Sequence, residues 1–268
     1  MLFLLSGFGL HKKGNRMNFY VVSDKWTPNV WPENEILLCT NDIDRDTNDP
    51  LFPNFDDHHE PFCPVCHHRL RKYPLPPLRR EIHLAKPYFG DIIVGGTNLY
   101  FSEHAMNLYG DAGLTGIEAF RKIEILKVMT HNGVRKSKLS PCPSYYWCDL
   151  VVDGAKMDYK KSKAVFCPPV SPLCDFCMIP LNNDAGTIDK YTGVYLDEST
   201  WNKNNIFLPL GIWGIIMADQ VFKNWYDENN LTGVELRPSS SVNENFGFYD
   251  SEVEEYGQEG LRYDLDQS

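Results

Sequence analysis

Cys63-Pro-Val-Cys66 and Cys174-Asp-Phe-Cys177 are the two stretches whose residue types and spacing suit metal chemistry. Two thiols two residues apart let one tight turn aim both sulfurs at a single tetrahedral ion, while the turn's N–H groups steady the thiolates. Together Cys63, Cys66, Cys174 and Cys177 make the ligand set of a structural four-cysteine zinc site. The two turns lie much farther apart than the ~15–20 residues of a compact zinc ribbon. One shared ion would therefore staple distant parts of the chain. Separate or vestigial sites, a local site completed by His67 or His68, and a chain without metal are the alternatives. A thioredoxin-like redox role fits less well, because neither pair clearly follows a strand and opens a helix. Cys39, Cys142, Cys148 and Cys167 lack the spacing and are expected as small buried apolar side chains.

The chain has 268 residues, 43% of them hydrophobic and 23% charged, which suits one large domain or two small ones with a real core. Its formal net charge of −10 disfavours nucleic-acid phosphate as a partner and favours a basic protein surface. The apolar run at residues 1–10 is too short to span a bilayer, and its lysines follow that run where a signal peptide would have them first. A cytoplasmic location with no membrane association is expected. Reduced cysteines in CxxC spacing then point to metal more than to disulfides.

Local pattern gives the elements that would position the cysteine turns. Residues 18–38 read as one or two strands, broken by prolines around Trp31, and residues 41–60 read as an acidic loop. Ser102 resembles a helix N-cap, with Ala105, Leu108 and Tyr109 on one apolar face and Gly110 and Gly113 ending the helix. Residues 117–128 read as strand or short helix, Asn132-Gly133 as a turn, residues 144–152 as a strand, and Asp153-Gly154 as the turn after it. Asp219 is a second cap, followed by Phe222, Trp225 and Tyr226 at helical spacing.

Aligned without gaps, residues 102–118 and 219–235 match at Asn107/Asn224, Tyr109/Tyr226, Leu114/Leu231, Thr115/Thr232, Gly116/Gly233 and Glu118/Glu235. The cysteine turns recur at nearly the same interval, so an internal duplication is the preferred account. The expected fold class is α+β, with two pseudo-repeated halves of mixed strands and short helices joined by the zinc site. The divisions are 1–16, an extension or mis-assigned start; 17–140, the half with the first turn; 141–238, the half with the second; and 239–268, an acidic tail. That tail carries Glu244, Asp250, Glu252, Glu254, Glu255, Glu259, Asp264 and Asp266 against Arg262 alone, interleaved with Phe246, Phe248, Tyr249, Tyr256 and Tyr263. It reads as a solvated flexible segment, with an arm that docks on a basic partner as the alternative.

Catalytic signatures are scarce: the chain has no GxSxG, GxxxxGK[ST], HExxH or GxGxxG. His58-His59-Glu60 ahead of Cys63 echoes zinc deaminases, but the two elements nearly touch here, and Phe62 stands where those enzymes have proline. Asp42, Asp44 and Asp46 open like a calcium loop, yet Thr47 replaces the required glycine and Pro53 the bidentate glutamate.

In order along the chain, the turn at Cys63/Cys66, the run from Gly90 to Gly116, the tyrosine-rich strand with Gly154-Ala-Lys-Met-Asp158, and the turn at Cys174/Cys177 with its own Leu-Thr-Gly form a recognisable series. Over residues 17–238 the chain resembles the bacterial double-CXXCG motif proteins, related to the immunity proteins of polymorphic toxin systems. It departs from that motif in having His67 and Met178 where the family has glycine. The resemblance implies a non-enzymatic antidote that binds and silences a cognate protein toxin, and it carries over no catalytic residue. A basic toxin would suit the acidic chain. The rival expectation is a zinc-ribbon-type nucleic-acid-binding or regulatory module, drawn from the CxxC turns and the basic run Arg69, Arg71, Lys72, Arg79 and Arg80.

Overall fold

A computed structural model describes residues 17–25, 32–38, 61–71, 78–95, 98–131, 134, 136, 139–166, 172–181 and 188–245. In chain order its strands are β1 (Phe19–Asp24), β2 (Asn34–Leu38), β3 (Arg79–Leu84), β4 (Ile92–Gly95), β5 (Asn98–Ser102), β6 (Ile117–Lys122), β7 (Glu124–Thr130) and β8 (Tyr145–Leu150). They continue with β9 (Val152–Met157), β10 (Val165–Phe166), β11 (Ile188–Thr192), β12 (Leu196–Asp197), β13 (Ile206–Leu210), β14 (Ile216–Asp219), β15 (Val234–Pro238) and β16 (Asn243–Asn245). Helix α1 (Glu103–Asp111) follows β5, and α2 (Gln220–Glu228) follows β14. The architecture is therefore mixed sheet with two short helices. The stretches holding Asp42, Asp44, Asp46, His58, His59, Glu60, Cys39, Cys167 and Asn132-Gly133 lie outside the described residues.

Both helices start where a side chain can satisfy a free N–H. Ser102 Oγ accepts from Ala105 N at 3.2 Å, and Asp219 Oδ1 accepts from Phe222 N at 2.8 Å. Each helix then buries one face against a shared core. Ala105 and Tyr109 of α1 meet Phe222 and Trp225 of α2 in one cluster with Phe101, which stacks on Trp225 at 6.2 Å. Residues 117–128 are strand throughout, divided at the buried Ile123 between β6 and β7.

Strand pairing crosses the expected division at residue 140. A six-stranded sheet runs β12-β9-β13-β14-β1-β15, so β1 lies between β14 and β15. A four-stranded sheet runs β4-β5-β8-β6, so β8 lies between β5 and β6. Two three-stranded sheets, β2-β3-β7 and β10-β11-β16, flank these.

The loops after the helices add a second reciprocal tie. Thr115 N donates to Asn205 Oδ1 at 2.9 Å and Asn205 N to Thr115 O at 3.0 Å, joining the loop after α1 to the start of β13. Thr232 N donates to Asp91 Oδ2 at 3.0 Å and Ile92 N to Thr232 O at 3.0 Å, joining the loop after α2 to the start of β4.

Four expectations change. Gly110 does not end α1 but lies inside it, and the helix closes at Ala112. Asp153-Gly154 is not a turn but part of β9, because the buried Asp153 carboxylate accepts from Ala155 N, Asn202 N and Asn204 Nδ2 at 2.6–2.9 Å. Those donors satisfy it inside a sheet, where an unpaired aspartate would be costly. Cys148 is buried as expected, but Cys142 is exposed between Pro141 and Pro143. The acidic stretch also begins inside the fold: Val242 is buried, and β16 pairs with β11. Residues 246–268 lie outside the described residues.

Candidate metal centre

Each cysteine turn is a small closed hairpin, and the two follow the same hydrogen-bond plan. In the first, Cys63 N donates to His68 O, His67 N to Cys63 O and Leu70 N to Pro61 O, at 2.8–2.9 Å. In the second, Cys174 N donates to Ile179 O, Met178 N to Cys174 O and Leu181 N to Pro172 O, at 2.8–3.0 Å. This plan requires a left-handed residue directly after the second cysteine. His67 has φ 55° and Met178 φ 63°, so the two residues that replace the glycine of the resembled motif adopt a glycine-like conformation.

That conformation costs a residue with a Cβ on the order of 1 kcal/mol. His67→Gly is therefore expected to raise stability by about 0.5–1 kcal/mol, read as a higher midpoint in urea. Met178→Gly is expected to gain less, because Met178 also packs against the core around Tyr159 and Phe166.

All four sulfurs meet. Sγ of Cys63 lies 3.6 Å from Sγ of Cys174, and Sγ of Cys66 lies 3.5 Å from Sγ of Cys177. Each pair is 111 residues apart in sequence. The four Sγ atoms lie within 4.8 Å of one another, and this is the one group of at least three metal-ligating side chains among the described residues. Four thiolates around one tetrahedral ion, with bonds of about 2.3 Å, have sulfur–sulfur edges of roughly 3.8 Å, so the set fits a single metal ion. His67 is exposed, and His68 turns its ring to Trp213 at 5.5 Å, so the cluster consists of sulfur alone.

Burial shapes the proton chemistry of the centre. It opposes ionisation of Cys63, but the N–H groups of Cys66 and Val65 and the neighbouring thiols outweigh it and bring that thiol down to about 7. Burial pushes the Cys66 and Cys177 thiols up. An arriving cation would displace protons from Cys66 and Cys177 as it bound.

Each turn is anchored to the sheets by a residue whose role was not evident from its own segment. Just beyond the first turn, the buried Arg71 donates through Nη1 to the Asp149 carboxylate and to Leu150 O, and through Nη2 to Cys148 O at 3.3 Å. Its guanidinium lies 4.9 Å from the Trp147 ring centroid. For the second turn, the buried Tyr159 hydroxyl lies 2.8 Å from Met178 O and 2.7 Å from Gly211 O, sharing its one proton between them. Lys156 Nζ donates to Asp175 O at 2.6 Å. Leu210 and Val152 complete an apolar floor beneath the sulfurs.

The basic run dissolves in this arrangement. Arg71 is consumed by Asp149, Arg80 is buried and donates to Tyr100 Oη at 3.2 Å, and Arg79 pairs with Glu124 at 3.1 Å. Arg69 remains exposed, while Lys72 lies outside the described residues. No protein-family model matches the chain, and no curated protein matches it either. No helix among the described residues is long and apolar enough to cross a membrane.

Proposed function

We propose that the chain is an immunity protein that silences a cognate bacterial toxin by binding to it, with its cysteine centre holding a structural zinc ion. The observation that carries this reading is apolar surface on and around the two turns. Phe62, Val65, Phe176, Leu181 and Trp213 are 39–61% exposed. Val65 and Phe176 occupy the tips of the turns, Phe62 and Leu181 flank them, and Trp213 lies against His68. Large apolar side chains held outward on rigid turns are the usual core of a protein-binding surface.

Zinc is supported by the all-sulfur ligand set and by sulfur separations close to those of a tetrahedral site. Four protein ligands leave no open position for substrate, so the ion would hold the turns in place and take no part in catalysis. The chain acts by contact, and its net charge of −10 would steer it towards a basic toxin. The two-halves reading belongs to this proposal, supported by the matching turns, caps and loop ties. Arg71 and Arg80 are buried and Arg79 pairs with Glu124, which favours the contact reading over a nucleic-acid one.

Co-expression with the toxin encoded beside the chain's own gene tests the proposal. A stoichiometric complex and protected cells are expected. Val65→Asp combined with Phe176→Asp changes only exposed side chains, so it is expected to weaken that complex at least about tenfold while leaving metal content and Tm unchanged. If the wild-type chain forms no complex and gives no protection, the immunity reading is wrong.

A further inference from the structure

We propose that Cys66 and Cys177 form a peroxide-reactive pair that replaces the metal tie between the two turns with a covalent one. Cys63, Cys174 and Cys177 are buried, whereas Cys66 is partly exposed, so a small oxidant reaches the cluster through Cys66. The sulfur of Cys177 waits 3.5 Å away on the opposite turn. Within its own turn Cys66 has a less suitable partner. Sγ of Cys63 is held as an acceptor by Val65 N at 3.4 Å and Cys66 N at 3.5 Å, bonds that a Cys63–Cys66 disulfide would weaken.

With hydrogen peroxide as oxidant, the Cys66 thiol gives up its proton to solvent and its sulfur attacks one peroxide oxygen. The O–O bond breaks and hydroxide leaves, giving a sulfenic acid. The Cys177 sulfur then attacks the Cys66 sulfur, forming the S–S bond, breaking the S–O bond and releasing a second hydroxide. With the two thiol protons the balance is two thiols and one peroxide to one disulfide and two waters. Two of the four ligands are lost, so a bound metal ion leaves, but the turns stay joined by a bond between positions 66 and 177. The exchange depends on the sulfur geometry and does not require the immunity reading.

The test uses the full chain carrying Cys142→Ser, which removes the one exposed thiol outside the centre among the described residues. After treatment with stoichiometric hydrogen peroxide and alkylation of the remaining thiols, proteolytic peptides are mapped by mass spectrometry, while a chromogenic chelator follows metal release. The first cross-link is expected to join Cys66 to Cys177, to be reversed by dithiothreitol, and to accompany metal release where metal was bound. The oxidised chain is expected to recover most of the Tm lost when a chelator acts on the reduced chain. A first disulfide within either turn, or sulfinic acid at Cys66 without a cross-link, would overturn the proposal.

Discussion

Cys174→Ser is expected to abolish stoichiometric metal binding and to lower stability by about 4–5 kcal/mol, or more than about 10 °C in Tm. Cys174 is almost fully buried, and its sulfur faces that of Cys63 across the junction of the two turns. Serine at that position would leave an ill-matched hydroxyl among sulfurs and withdraw a ligand from an ion that holds together segments 111 residues apart in sequence. Metal analysis of the purified variant beside a thermal scan separates this loss from simple misfit. If the centre binds no ion, the substitution is expected to cost only about 1–2 kcal/mol, the penalty of burying a hydroxyl. Cys66→Ser, at the partly exposed corner, should leave a weaker residual site and a smaller drop.

Gly116→Ala and Gly233→Ala are each expected to cost more than about 4 kcal/mol, with little folded protein recovered. A Cβ at Gly116 would lie 1.7 Å from Ile206 O, and one at Gly233 would lie 2.1 Å from Ile92 O. Both glycines have φ near 110°, a region closed to residues with a side chain. The obstacle in each case is backbone. It cannot yield without breaking the ties of Thr115 to Asn205 and Ile206, or of Thr232 to Asp91 and Ile92. Gly110→Ala is the matched control: it lies inside α1 with open space around it, and it should stabilise the chain by about 0.5–1 kcal/mol. Denaturant unfolding of the three variants places them on one scale.

The helices and the cysteine turns were legible because their determinants are local. Ser102 and Asp219 cap residues three positions on, and a CxxC turn closes its own hairpin. What segment-by-segment reading could not supply is the partner of a residue far along the chain. Arg71 looks like one charge in a basic run until Asp149 is placed against it, and Asp153-Gly154 looks like a turn until Asn202 and Asn204 donate to the carboxylate. The matched Leu-Thr-Gly runs pointed to two loops but not to what holds them, which is the tie of Thr115 to Asn205 and of Thr232 to Asp91. Cys142 shows the opposite failure, since no local feature distinguished an exposed thiol from a buried one.

The placement of β1 between β14 and β15 also sets an order for biosynthesis. β1 is made well before its pairing partners, β14 and β15; Tyr20 reaches Gln220, 200 residues later. At about 5–20 residues per second, a ribosome takes roughly 10–40 s to supply that partner. Throughout that interval the apolar side chains of Phe19, Val21 and Val22, which the finished fold buries on both faces of β1, lack the strands that flank them. The nascent segment around β1 is therefore a natural client for a chaperone that holds extended apolar chain, and its six-stranded sheet closes only after β15 has been made.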